Sequence, residues 1–237
     1  MDDFWPISKR NNAKLYFMNL VIDLQYFPSI ILFESLYKFS NIVFEQYENY
    51  QKMSFRNRCQ LAGGEGLIEL SVPLVKGRSQ KTLMKDVRIA NDRPWQAQHW
   101  KTVVSCYSRS PWFEYYYSEL EAVYKKQYDL LADWNRDCFE WALRMLKLSI
   151  PVSETEIFRE QYEEADWVDW RGKLLPKNRG LEGGLAGSGR HGAGPLKYRQ
   201  VFEERVGFIP NLSILDLLFC EGREAGRLLA ARGGTRG

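Results

Sequence analysis

The chain has 237 residues, of which 45% are hydrophobic and 27% are charged, a balance typical of one globular domain rather than a disordered chain. Its formal net charge of only +3 argues against a dedicated nucleic-acid-binding protein, whose surface is normally strongly basic. The four cysteines form no CxxC pair and only two histidines accompany them, so the spacing predicts neither a metal site nor a disulfide framework.

The sequence also lacks the signals of membrane insertion and secretion. No run of eighteen apolar residues occurs, so no transmembrane segment is expected. Residues 1–13 mix charged and amide side chains, without the apolar stretch and small-residue cleavage site of a secretion signal. We therefore expect a disordered leader at 1–13 and a cytoplasmic protein with free thiols.

A β-α-β unit is predicted at the start of the folded part. Residues 15–24 are nearly all apolar and rich in strand formers, which indicates a buried strand. Apolar residues at helical spacing predict an amphipathic helix over 28–39, and residues 42–46 supply the second strand. Parallel strands joined in this way place their carboxyl ends, and the ligands of open α/β sheets, at one edge.

A polar and basic turn follows the second predicted strand. It carries Glu45 and Glu48, then Lys52, and finally Arg56 and Arg58. One interpretation is an anion-binding pocket; the other is a solvated hairpin edge, since charges on strand edges prevent aggregation. The glycines at 63–66 lack the spacing of a phosphate loop and predict a hairpin turn leading into a strand at 67–72.

The middle of the chain is predicted to be helical. After a short strand at 87–90, residues 95–117 contain eight aromatic side chains. A helix beginning near Trp95 should end before Pro111, with further helices at 112–128 and 132–147. The predicted helical part therefore covers 93–148.

His99 lies in the first of these helices and has two interpretations. A lone histidine among aromatic residues is usually a hydrogen-bonded core residue. Histidine is also the side chain best suited to proton transfer near neutral pH, and the only other one, His191, lies in a glycine-rich segment. His99 is therefore our candidate general base.

The last third of the chain mixes acidic, glycine-rich and apolar segments. A strand is predicted within 150–158, and Asp169 and Arg171 are expected to pair. Seven glycines fall within 180–195, which predicts a flexible loop, either a lid or a passive insertion. Residues 222–237 are expected to form a loosely ordered tail.

The apolar run at 211–219 predicts a helix capped by Asn211 or Ser213, following a short helix that Gly207 ends. Asp216 is unusual within this run, because a buried carboxylate needs a partner. We predict that Asp216 forms a salt bridge with a basic residue of the polar turn, namely Lys52, Arg56 or Arg58.

Four segments carry a resemblance to a known family: QYFPSI at 25–30, ENYQK at 48–52, RNR at 56–58 and NLSILDLLF at 211–219. They resemble the WbqC-like family, which is associated with bacterial O-antigen and other surface-polysaccharide gene clusters. The resemblance implies a cytoplasmic step in lipopolysaccharide biosynthesis. The reaction we expect is a transferase-type modification of a nucleotide-activated or amino sugar, with acylation as one form. The alternative is a non-catalytic scaffold of the same pathway.

Taken together, we predict one α/β domain over 14–221, in which a β-α-β sheet unit is covered by the helical part and by a returning C-terminal helix. The ligand expected is a small, anionic or nucleotide-linked sugar, with no nucleic acid and no predicted metal or named cofactor. His99 is the predicted catalytic residue. Seven residues are predicted to bind the substrate: Gln25, Tyr50, Lys52, Arg56, Asn57, Arg58 and Asp216.

Overall fold

The computed structural model describes residues 18–75, 81–162, 165–178 and 194–233. The predicted leader at 1–13 and most of the glycine-rich loop at 180–195 lie outside these ranges. The described part confirms the α/β class, with a four-stranded parallel sheet and seven α-helices. No described helix is both long enough and apolar enough to cross a bilayer.

The predicted β-α-β unit is confirmed. Strand β1 (Asn19–Asp23) and strand β2 (Asn41–Glu45) pair in parallel, and helix α1 (Ile30–Leu36) connects them. Every residue of α1 is buried. A helix that is buried on all sides needs apolar residues around its whole circumference, which explains why the segment IILFESL is so rich in them.

Two later strands complete the parallel sheet. Strand β5 (Val152–Glu154) pairs with β2, and strand β6 (Trp167–Asp169) pairs with β1, giving the order β5-β2-β1-β6. All three pairings are parallel, so the four strands direct their carboxyl ends to the same edge. This edge is the expected ligand position in an open α/β sheet.

The predicted hairpin is also confirmed. Strands β3 (Arg58–Gly63) and β4 (Gly66–Ser71) form an antiparallel pair joined by a two-residue turn. Gly66 has a φ of +117°, a conformation that glycine adopts far more readily than other residues. The short strand predicted at 87–90 is reduced to single bridges, from Ile89 to Leu74 and from Arg88 to Leu130.

The helical part of the chain packs beside the sheet, and its predicted helices are present. Helix α2 (Trp95–Tyr107), helix α3 (Phe113–Lys125) and helix α4 (Leu131–Leu146) follow one another. Trp134 and Trp141, both on α4, are fully buried in the main core. Burial of such large side chains is a major source of stability for this layer.

The C-terminal helices show one confirmation and one correction. Helix α5 (Glu203–Val206) ends at Gly207, and Ser213 caps helix α6 (Ile214–Glu221) by accepting a hydrogen bond from the Leu215 amide. The loosely ordered tail expected at 222–237 is wrong for its described part, because Glu224–Gly233 form helix α7. Two apolar residues of α7 are completely buried, Ala225 and Leu229.

Candidate functional site

Each strand of the parallel sheet ends in a carboxylate. These residues are Asp23 on β1, Glu45 on β2, Glu154 on β5 and Asp169 on β6. Asp23 and Glu45 lie opposite each other in the register of the sheet and are both completely buried. Two neighbouring buried carboxylates are costly unless cations or hydrogen-bond donors compensate them.

Asp23 is compensated by donors from three segments. One carboxylate oxygen accepts a hydrogen bond from the Gly172 amide at 2.8 Å, and the other accepts from Nε2 of Gln25 at 3.0 Å. The guanidinium of Arg56 lies 3.7 Å from the same carboxylate. Asp23 therefore joins β1 to the loop after β6 and to the polar turn.

Glu45 has a similar set of partners. Its Oε1 accepts hydrogen bonds from the Tyr47 amide at 2.7 Å and from the Thr155 hydroxyl at 2.9 Å. Its Oε2 lies 3.3 Å from the guanidinium of Arg171. Glu45 therefore links β2 to the segments that follow β5 and β6.

The predicted pairing of Asp169 with Arg171 is confirmed. Nε and one terminal nitrogen of Arg171 contact the Asp169 carboxylate at 3.1 and 2.7 Å. Arg171 also donates to the backbone carbonyls of Arg159 and Glu160, and its guanidinium lies over the Tyr162 ring at 5.0 Å. This arginine thus anchors the 159–162 segment beside the carboxylate edge.

Arg56 is the second cation of the site and is completely buried. It is paired with Glu48 and Asp23, and it donates to Oε1 of Gln51 at 3.2 Å. Burial disfavours its charge, but the attraction of Asp23 and Glu48 outweighs this and raises the pKa of Arg56. Asn135 on α4 holds this region in place by donating to the backbone carbonyls of Leu24 and Arg56.

Glu48, like Asp169, reaches an open cleft, and 16% of its side chain is exposed. Burial raises the pKa of the Glu48 carboxyl; Arg56 opposes this effect, and the negative charges of Asp23 and Glu45 add to it. A carboxyl whose pKa is raised toward neutrality is a better proton acceptor than an ordinary surface glutamate. The cleft has a volume of about 370 Å³ and six lining residues: Tyr47, Glu48, Asn49, Phe158, Asp169 and Arg171.

The structure brings together only some of the substrate-binding residues predicted from sequence. Gln25 and Arg56 both lie at the carboxylate edge. Tyr50 instead donates to Asn57, whose amide nitrogen contacts Ser71 and the Val72 carbonyl, so this pair ties the polar turn to β4.

The remaining basic residues of the polar turn do not enter the carboxylate layer. Arg58 pairs with Glu69 across the hairpin at 2.6 Å, with both side chains partly exposed, and Lys52 is half-buried. The sequence left two alternatives for this turn, an anion-binding pocket and a hairpin edge. Arg58 fits the hairpin edge, whereas Arg56 is already paired with carboxylates of the protein itself.

His99, the predicted general base, lies in an aromatic cluster. Its Nδ1 lies 3.1 Å from the Tyr26 hydroxyl, and the Trp95 ring packs edge-on against it at 5.2 Å. Burial lowers the pKa of His99 to about 4, with a hydrogen bond to the Ser71 backbone opposing the shift. The imidazole is therefore neutral at physiological pH, and its catalytic role stays a prediction.

Asp216 does not form the predicted salt bridge with Lys52, Arg56 or Arg58. Its two oxygens accept hydrogen bonds from Tyr107 at 2.7 Å and Tyr198 at 2.6 Å. Burial raises the pKa of Asp216 to about 6, while these phenol hydrogen bonds oppose the shift. The expectation of a partner is correct, but neutral hydroxyls take the place of the expected cation.

Sequence reasoning missed Asp23 altogether, and it placed Glu45 and Glu48 in the polar turn without selecting either as a catalytic or substrate-binding residue. A signal was present, since each strand of the parallel sheet ends in an acidic residue. The described residues contain no group of three His, Cys, Asp or Glu arranged to hold a metal ion.

Comparison with known proteins agrees with the motif resemblance. The sequence profile of the WbqC-like protein family matches residues 25–173, which is more than half of the chain. This range contains the polar turn, Glu48 and Arg171. Searches of curated proteins and of solved structures found no match. The matched range and the ordered motifs within it show that this chain belongs to the WbqC-like protein family.

Proposed function

We propose that this WbqC-like protein is a cytoplasmic transferase of bacterial O-antigen or other surface-polysaccharide biosynthesis. It transfers an acyl group to an amine or hydroxyl of a sugar at the carboxylate edge of its parallel sheet. Family membership supports the pathway. One observation carries the reaction, namely that Glu48 lines an open cleft while its own partial burial raises the pKa of its carboxyl.

The proposed step is a proton-coupled acyl transfer. The acceptor nitrogen or oxygen of the sugar attacks the carbonyl carbon of an activated acyl donor, and Glu48 takes the proton that this atom loses. The bond from the carbonyl carbon to the leaving group then breaks, and the leaving group keeps the electron pair. Arg56 holds Glu48 in position, because its guanidinium is fixed by Asp23 and Gln51.

The cleft also has features suited to a sugar. Tyr47 and Phe158 supply apolar ring surface, and Asn49 supplies an amide that both donates and accepts hydrogen bonds. For a nucleotide-linked sugar, Lys52 is the proposed contact of the diphosphate, because it follows Asn49 on the same turn and forms no ion pair with another described residue.

Replacement of Glu48 tests this function. We expect Glu48→Gln to lower acyl-transfer turnover about 10²–10⁴-fold, because the amide cannot accept the proton. Substrates are first identified by thermal-shift screening against nucleotide-linked sugars and acyl donors. In the wild type, turnover should fall as the pH is lowered through the raised pKa of Glu48. The Glu48→Gln variant should lack this fall in turnover at low pH.

Glu69→Gln is the matched control, since it also removes a carboxylate paired with an arginine but lies on the solvent-facing side of the hairpin. Its turnover and melting temperature should stay near wild type. Full turnover in folded Glu48→Gln contradicts the assigned role. The absence of any small-molecule ligand, together with co-purifying pathway enzymes, supports the non-catalytic scaffold instead.

A further inference from the structure

We propose that the acceptor group bound at this edge is an amine, held in its protonated form before transfer. This inference rests on the proposed function and deepens it by choosing between an amine and a hydroxyl. Three observations carry it. The site has surplus negative charge, a buried hydrogen-bond acceptor lacks a donor, and the arginine side chains of the site already donate to groups of the protein.

The charge balance at the edge is negative. Four carboxylates, Asp23, Glu45, Glu48 and Asp169, form the network, against the two guanidinium groups of Arg56 and Arg171. Two of these carboxylates, Asp23 and Glu45, are completely buried, where attraction to a cation is screened far less than at the surface.

Charges at the rim of the site do not reverse this balance. The exposed Lys173 donates to the backbone carbonyl of Asp169, Lys85 lies over the Tyr47 ring at 4.6 Å, and Arg159 lies over the Tyr162 ring at 5.8 Å. The exposed Glu160 adds a negative charge on the 159–162 segment. Exposed charges of both signs contribute little, because water and salt screen them. The described residues hold no metal-ligand cluster, so the cation class that this edge fits is an organic ammonium group.

An unpartnered acceptor lies in the same layer. Gln25 is completely buried, and its Nε2 donates to Asp23. Its Oε1 has no hydrogen-bond partner. The orientation of this amide follows from Asp23, because the flipped form would place two acceptor oxygens against each other. A buried acceptor without a donor is costly, and an ammonium group offers three donors.

The cationic donors of the site are largely occupied. Nε and both terminal nitrogens of Arg171 contact Asp169, Glu45 or backbone carbonyls. Both terminal nitrogens of Arg56 contact Glu48 or Gln51, which leaves its buried Nε as an unpartnered donor. An anionic group would therefore have to displace the carboxylates from their arginine partners.

The chemistry is consistent with a protonated acceptor. Glu48 removes one proton from the bound ammonium and so restores the nitrogen lone pair. The nitrogen then forms its bond to the acyl carbon, and its second proton leaves with the departing group. The overall change converts an ammonium and an activated acyl compound into an amide, the protonated leaving group and one proton.

Binding measurements test this inference without any need for turnover. Titration calorimetry would compare a panel of amino hexoses with the hexoses that carry a hydroxyl at the same position and with their N-acetylated forms. We expect at least tenfold tighter binding of the amine, with an advantage that shrinks as salt is added. Asp169→Asn should remove most of this advantage, whereas Glu69→Gln should keep it.

Circular dichroism and melting temperature would verify that each variant is folded. Equal affinity for the amine and hydroxyl forms overturns the inference while leaving acyl transfer, tested through Glu48→Gln, intact. Tighter binding of acidic sugars also overturns it. Failure of every sugar in the panel to bind the wild type counts against both the inference and the proposed function.

Discussion

At the scale of single residues, His99 illustrates how packing decides the use of a side chain. Its ring lies between the rings of Tyr26 and Trp95. The Tyr26 hydroxyl in turn forms a hydrogen bond of 2.9 Å with the Tyr124 hydroxyl. Such a chain of buried polar groups is stable only while each member keeps its partner. The contacts of His99 thus give it a packing role that is independent of any catalysis.

Replacing His99 separates this packing role from catalysis. We expect His99→Ala to lower the free energy of unfolding by about 1–3 kcal/mol, because it leaves the buried Tyr26 hydroxyl with one partner fewer. Denaturant unfolding measures the loss, and turnover should follow the folded fraction. The exposed neighbour Gln98 offers the control Gln98→Ala, which should change neither quantity. A turnover loss of a hundredfold at unchanged stability would instead establish His99 as the general base.

At the scale of elements, helix α7 shows how a polar, glycine-containing segment can become part of the core. Gly226 lies so close to the Leu146 carbonyl that an added Cβ would be 2.9 Å from that oxygen. The Tyr37 hydroxyl also donates to the Gly226 carbonyl at 3.0 Å. Small residues let α7 approach α1 and α4 closely, and two of its apolar side chains, Ala225 and Leu229, are then fully buried.

Truncation of Leu229 tests the structural importance of α7. We expect Leu229→Ala to lower the free energy of unfolding by about 2–5 kcal/mol, since it removes apolar contacts and leaves a cavity. Urea unfolding would measure this change. Arg227→Ala on the exposed side of the same helix should cost at most about 1 kcal/mol, as its ion pair with Glu224 is at the surface. Equal, small effects of both substitutions would mean that α7 does not contribute to the stable core.

At the scale of the whole molecule, two buried groups give the stability opposite dependences on pH. The folded protein holds the pKa of His99 at about 4, below its ordinary 6.5, so the unfolded chain binds more protons between these values. The folded protein holds the pKa of Asp216 at about 6, above its ordinary 3.8, so the folded chain binds more protons in that window. Lowering the pH therefore costs stability through His99, and raising it costs stability through Asp216.

Variants of the two residues should change the pH profile in opposite directions. Between pH 4 and pH 6, Asp216→Asn should make the free energy of unfolding rise more steeply with pH. The reason is that the substitution removes the carboxyl whose deprotonation costs stability as the pH rises. His99→Gln should make it rise less steeply. Urea titrations at several pH values would give the slopes, with Gln98→Ala as the unchanged reference. Parallel slopes in all three variants would contradict the assigned environments.

Features that depend on residues close together in the chain could be predicted from the sequence. Apolar periodicity predicted the β-α-β unit and the helices of the middle part, and local chemistry predicted the hairpin and the Ser213 cap. The pairing of Asp169 with Arg171 was also predictable, since the two residues are only two positions apart. Short-range order of this kind follows from backbone geometry and local hydrogen bonding.

The pairing of charged groups, in contrast, depends on how distant segments pack in the folded chain. Arg171 pairs with Glu45 from 126 positions away, and Tyr107 reaches Asp216 from 109 positions away. A basic turn in the sequence thereby becomes part of a site with surplus negative charge. The physical reason is that the energy of a charge depends on its burial and its partners, and both are fixed only when distant segments pack together.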